Sequence, residues 1–172
     1  MAGSQGAVTV NGTGSQIELI AEGGSGASIH VGRSGTGTMT VSDGGEVLLT
    51  DSMLDEGTPE LSSGTGFAVG RDKYGDGTLN LNNGELSAEG SGVFGSIARH
   101  GGNGIVNISN GGSLSLHDKA PGTSGSGGAV MSLGDVRDEL TANPNKHLHP
   151  EDGSLHSTGT VNLNSGTVNV VS

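Results

Sequence analysis

Five times along the chain a short phrase returns, a glycine followed by two apolar residues that alternate with polar ones. It reads Gly-Ala-Val-Thr-Val from Gly6, Gly-Thr-Met-Thr-Val from Gly37 and Gly-Thr-Leu-Asn-Leu from Gly77. Gly-Ile-Val-Asn-Ile from Gly104 and Gly-Thr-Val-Asn-Leu from Gly159 complete the set. Self-similarity at this scale marks a solenoid, in which each repeat buries a face only against its neighbours. The repeat starts are 31, 40, 27 and 55 residues apart. Variable spacing around a constant phrase means constant coils with insertions between them.

Within each phrase the apolar pair sits two residues apart, which places both members on one face of a strand. The pairs are Val8 and Val10, Met39 and Val41, Leu79 and Leu81, Val106 and Ile108, and Val161 and Leu163. Between them Thr9, Thr40, Asn80, Asn107 and Asn162 point outward, and stacked copies of such residues form hydrogen-bonded ladders. A turn follows, in which Gly44, Gly84, Gly111 and Gly166 come after Asp43, Asn83, Asn110 and Ser165. Asn-Gly and Asp-Gly pairs mark backbone that needs positive φ. The first repeat departs from this, reading Asn11-Gly12-Thr13-Gly14 with one residue more.

A second alternating segment carries Ile17 and Leu19, Val47 and Leu49, Leu86 and Ala88, Leu114 and Leu116, and Val168 and Val170. A third element reads Ile29-His30-Val31-Gly32-Arg33, Phe67-Ala68-Val69-Gly70-Arg71 and Ser96-Ile97-Ala98-Arg99, with a fourth copy at Met131–Asp135. Three short strands per repeat describe one triangular coil of a parallel β-helix. An antiparallel meander of hairpins would leave the third strand without a role. The chain is therefore expected to be all-β, one domain over 1–172, with repeats starting near 6, 37, 77, 104 and 159. Its insertions are expected at 50–65, 118–128 and 135–158, the last with a short helix over 135–142. Such loops project from one side of a solenoid, often the functional one.

The phrase Val-Gly-Arg-x-Gly-x-Gly-Thr-apolar-x-Val-x-x-Gly-Gly, spanning Val31 to Gly45, resembles the glycine-rich repeat of bacterial autotransporter passengers and PEP-CTERM-associated surface proteins. Val69 to Gly84 and Ile97 to Gly112 are further copies, and 118–158 falls largely outside the likeness. The resemblance implies a right-handed parallel β-helix exported to the bacterial surface or beyond, acting as stalk, adhesin or matrix component. No catalytic residue belongs to the motif, so none is carried over.

Composition narrows the function further. Thirty-five glycines and three aromatic residues suit a thin aliphatic core rather than a globular one. Seven basic against 18 acidic residues give a formal charge of −11, which excludes phosphate neutralisation and hence nucleic acid as a partner. No apolar run reaches the roughly 18 residues of a spanning helix, so membrane insertion through one is not expected. The absence of cysteine leaves the redox compartment open. The start lacks the basic and apolar regions of a signal peptide, and the expectation is a mature or excised segment with an initiator methionine.

Three places carry candidate chemistry. His147 and His149 face the same way on an extended chain, and with Glu151 and His156 they could hold a transition metal. The plainer reading is a polar surface loop, since no cysteine or longer spacing signature accompanies them. Asp72-Lys73-Tyr74-Gly75-Asp76-Gly77 has the look of a calcium turn but occurs once, where calcium-binding nonapeptides come in tandem. Arg33, Arg71 and Arg99 occupy one position in successive coils and could grip an anion. Mutual repulsion makes pairing with Asp72, Glu46 or Glu85, or with corner carbonyls, the better expectation. No cofactor motif is present.

These observations converge on a non-enzymatic structural or adhesive module of a bacterial surface or extracellular matrix protein. The first and last coils lack capping helices, so self-association through terminal coils, or pairing with neighbouring repeats of a longer chain, is expected. The alternatives are a polysaccharide- or metal-binding module acting through the inserted loops, or a phage-tail or glycan-cleaving β-helix. Acidic residues scattered over turns and the near absence of aromatic platforms weigh against catalysis on sugars.

Overall fold

Alternating aliphatic residues repeated at every coil can bury one face only if coils stack in register, and this is the arrangement found. The computed structural model describes residues 3–22, 26–51, 64–119, 128–135 and 157–172. Among them the chain forms fourteen strands, and no helix is long and apolar enough to cross a membrane. The first coil comprises β1 (Gln5–Asn11), β2 (Gln16–Ala21) and β3 (Ser28–Val31). The second comprises β4 (Thr36–Ser42), β5 (Glu46–Asp51) and β6 (Gly66–Arg71). The third holds β7 (Asp76–Asn82), β8 (Glu85–Gly90) and β9 (Phe94–Arg99), and the fourth β10 (Asn103–Ser109), β11 (Ser113–Asp118) and β12 (Val130–Asp135). The last holds β13 (Thr158–Asn164) and β14 (Thr167–Val171).

All pairings between coils are parallel. They build three sheets, ordered β1-β4-β7-β10-β13, β2-β5-β8-β11-β14 and β3-β6-β9-β12. This is a parallel β-helix with three short strands per coil. The strands reach slightly into the segments expected as insertions. β5 ends at Asp51 and β11 at Asp118, while β12 ends at Asp135, the residue expected to cap a helix. The remainder of that expected helix lies outside the described residues.

The register joins like to like. Val8, Met39, Leu79, Val106 and Val161 form one column, and Val10, Val41, Leu81, Ile108 and Leu163 the next. In the middle coils these side chains are fully buried, with Leu79, Leu81, Val106 and Ile108 all at 0 % exposure. The second sheet contributes Val47, Leu49, Leu86, Leu114 and Leu116, and the third Phe67, Val69 and Ile97. The core is thus a continuous aliphatic lining with a single aromatic ring fully inside it.

The outward column of the first sheet forms the expected ladder. Asn162 donates to Asn107 Oδ1 at 2.8 Å, Asn107 to Asn80 Oδ1 at 2.8 Å, and Asn80 to Thr40 Oγ1 at 3.4 Å. Asn107 therefore both donates and accepts. Its replacement by alanine is expected to cost about 1 kcal/mol, since water can reach the partners left behind. The midpoint of urea unfolding measures this; no shift would mean that the ladder contributes nothing net.

Turn lengths differ from the sequence-based alignment. Between the first and second strands lie 43–45, then 83–84, then 110–112, then 165–166, so the turn alternates between three and two residues. The left-handed residue is Asp43, Asn83, Asn110 or Ser165 (φ 54, 54, 51 and 60°), as expected. Gly44 and Gly111 continue the left-handed backbone (φ 85 and 84°), whereas Gly84 corresponds to Gly45 and Gly112. At those three positions a Cβ would stand 2.4, 2.7 and 2.2 Å from a carbonyl oxygen of the preceding coil. The expected equivalence of Gly44, Gly84, Gly111 and Gly166 is therefore corrected. One set of glycines serves φ, and the other serves close approach between coils.

Candidate functional site

The corner after the third strands gathers Arg33, Arg71 and Arg99 around Asp72. At the end of each third strand stands a left-handed residue, Gly32, Gly70, Ala98 or Gly134 (φ 69, 68, 61 and 68°), where the backbone turns the corner. Arg71 and Arg99 are register neighbours on adjacent strands, and the backbone of Asp135 lies beside that of Arg99 on the far side. The carboxylate of Asp72, itself left-handed at φ 65°, faces Arg33 and Arg71. Its Oδ2 lies 3.3 Å from Arg33 Nε, and its Oδ1 lies 3.6 Å from both Arg71 Nε and His100 Nδ1. One carboxylate thus stands against two arginines and a buried histidine from three successive coils. Glu46 and Glu85, the other expected partners, are instead neighbours on the second sheet.

His30, half-buried in β3, completes the corner. Arg71 Nη1 is 3.4 Å from its Nε2. A guanidinium carries donors only, so this ring nitrogen must accept and the imidazole is neutral. Burial holds its pKa below the usual 6.5, Arg71 and Arg33 lower it further, and Asp72 partly opposes them. Because the folded value is depressed, the stabilising contribution is full above the unfolded value. It is lost as pH falls from about 6.5 through the folded one. The wild type is expected to lose more stability than His30→Gln between about pH 7 and pH 5. Parallel thermal-melting curves for the two proteins over that range would overturn the assignment.

A groove of about 880 Å³ runs beside this corner, past Gln5, Thr36, Tyr74, Asp76 and Asn103. Within it Asn103 donates to Asp76 Oδ1 at 3.0 Å. Tyr74 is exposed, with Lys73 Nζ 5.1 Å from its ring centre. In the turn that resembles a calcium loop, Asp72 thus serves the arginines and Asp76 serves Asn103. Among the described residues no group of three or more His, Cys, Asp or Glu side chains converges on one point. The candidate metal ligands His147, His149, Glu151 and His156 lie outside the described residues.

Two features escaped the sequence reading. Asp51 and Asp118, at the ends of β5 and β11, are buried at 4 % and 2 % exposure, on either side of Gly90 in one inward column. A run of glycines, Gly26, Gly64, Gly92 and Gly128, precedes the four third strands, the last three at positive φ (86, 66 and 70°). The signal was in the sequence, as a Gly two residues before each third strand. It was hidden by the general abundance of glycine.

Chemically, the site supplies an arginine cluster partly compensated by Asp72, beside a polar groove. Comparison with family models, curated proteins and solved structures gives no match. The fold itself places the chain among the parallel β-solenoids.

Proposed function

We propose that the chain is a non-enzymatic structural or adhesive module of a bacterial surface or extracellular matrix protein. The observation that carries the reading is how the strand residues are used. Inward side chains form continuous columns, and outward Asn and Thr residues bond to their copies above and below. The densest charged cluster is paired within itself through Asp72. A rod whose side chains bond along its own axis is suited to bearing load and presenting loops. The likeness of the Val31–Gly45 phrase to surface-protein repeats supports the same reading and a location outside the cell.

The test has two arms. Beads coated with the protein are expected to be held on a film of bacterial polysaccharide or on cells under flow, beyond uncoated beads. Incubation with a panel of polysaccharides is expected to release no reducing ends. Turnover in the second arm, or indifference in the first together with no load-bearing rigidity in single-molecule pulling, overturns the proposal.

A further inference from the structure

We infer that a second copy of this chain docks head to tail on the first, with its β1 and β2 continuing the sheets beyond β13 and β14. The inference deepens the structural reading above and rests on it. Among the described residues β1, β2, β13 and β14 are hydrogen-bonded on one side only. Such edges are templates for a further strand. The core columns open there too: Val8 is 47 % and Leu163 55 % exposed, where the same columns are sealed in mid-rod.

Three features name a second copy as the occupant. The first is register. Placed on β13 as β13 sits on β10, β1 brings Gly6 to Gly159, Val8 to Val161, Thr9 to Asn162, Val10 to Leu163 and Asn11 to Asn164. Among the described residues the apolar columns of the first and second sheets continue, while the four-stranded third sheet skips one coil at the joint, and the Thr9 hydroxyl reaches the free end of the Asn ladder. The second is charge. On a chain of formal charge −11, β13 and β14 carry no charged side chain and β1 and β2 carry only Glu18. In the second sheet Glu18 meets Asn169. The exposed outward aliphatics Ile20 and Val171 fall in the same column and cover one another.

The third is Gly6. A Cβ at Gly37, Gly77, Gly104 or Gly159 would stand 2.3 to 2.6 Å from the nearest backbone atom of the preceding coils. At Gly6 nothing lies within 4 Å, and its φ is not positive. Glycine there answers no contact inside this chain, but it repeats the residue that a preceding coil requires. Opposite polarity of the joint, β1 on β1 or β13 on β13, would run strands antiparallel and break every column.

Cysteine pairs test the joint cleanly, because the chain has no cysteine of its own. Thr9→Cys and Asn162→Cys are made separately, mixed and mildly oxidised. Directly opposed parallel residues fall within the Cα separation a disulfide spans, about 4.4–6.8 Å. The expected product is the mixed dimer, at least about tenfold over either homodimer. Within one chain the two sites are about 19 Å apart at 4.8 Å per coil, so a chain carrying both changes is expected to give a polymer ladder.

Ile20→Lys with Val171→Lys, both outward and exposed, is expected to suppress cross-linking while leaving circular dichroism unchanged. Ile20→Lys with Val171→Glu is expected to restore it. Homodimers of either single-cysteine variant, cross-linking indifferent to the charge changes, or monomer alone by light scattering at high concentration would overturn the joint. The bead and polysaccharide assays read the isolated module and are unaffected by that outcome.

Discussion

Phe67→Ala is expected to lower the free energy of unfolding by about 3–5 kcal/mol, read as a shift in the urea midpoint. With total stability on the order of 5–15 kcal/mol, this would leave a protein close to its limit. Phe67 is the largest side chain that is fully buried. Its column reads Ile29, Phe67, Gly95, Met131, and the ring occupies the space that Gly95 leaves. A Cβ on Gly95 would stand 2.8 Å from Phe67 Cε1 and 3.1 Å from Leu116 Cδ1. No neighbour is built to collapse into the cavity, because coils are held at strand spacing by their backbone bonds. In a solenoid the loss also uncouples the second coil from the third, since stability runs through nearest neighbours. A cost under about 1 kcal/mol would mean that the core columns are not closely packed.

The second large effect is expected at a corner. Gly70 has φ +68°, and a Cβ there would lie 1.8 Å from the carbonyl oxygen of Asn103. Both the left-handed backbone and a clash with main chain oppose any side chain. Gly70→Ala is expected to cost about 2–5 kcal/mol, combining the left-handed penalty with overpacking. Gly134 supplies the control. It has the same φ of +68°, but its nearest atom, Ser157 O, is 3.2 Å away. Gly134→Ala is expected to cost only the backbone term, about 1–2 kcal/mol. Equal losses at the two positions, measured by thermal or urea unfolding, would show that the approach of Asn103 is not the constraint. Ala98 occupies the same place in the third coil with φ +61°, so the column tolerates a methyl where the next coil permits it.

The coil was legible in the residues because its cause is local and repeated. Val8/Val10, Met39/Val41 and Leu79/Leu81 declare strands by alternation, and Asp43, Asn83, Asn110 and Ser165 declare left-handed turns by residue type. The same phrase at five places then leaves little choice but stacking. The arginine corner was only partly legible. Arg33, Arg71 and Arg99 could be aligned from the sequence, yet Asp72, Glu46 and Glu85 were equal candidates to neutralise them. The sheets decide between these, because Glu46 and Glu85 belong to another face of the triangle. The complementarity of Phe67 and Gly95 was not legible, since neither residue signals its neighbour one coil away.

What the amino-acid order determined by itself is the number of strands per repeat, their inward faces and the residues at which the backbone turns left-handed. These follow from period-two burial and from steric limits on φ, both properties of a few consecutive residues. The tertiary structure alone decided which glycines exist for φ and which for the approach of another coil. It also decided that Asp72 is the common partner of Arg33 and Arg71, and that Asp51 and Asp118 point inward. Apart from the adjacent Arg71 and Asp72, those outcomes depend on contacts between different coils, whose starts lie 27 to 55 positions apart in the chain. Such contacts are fixed only when the coils close and stack.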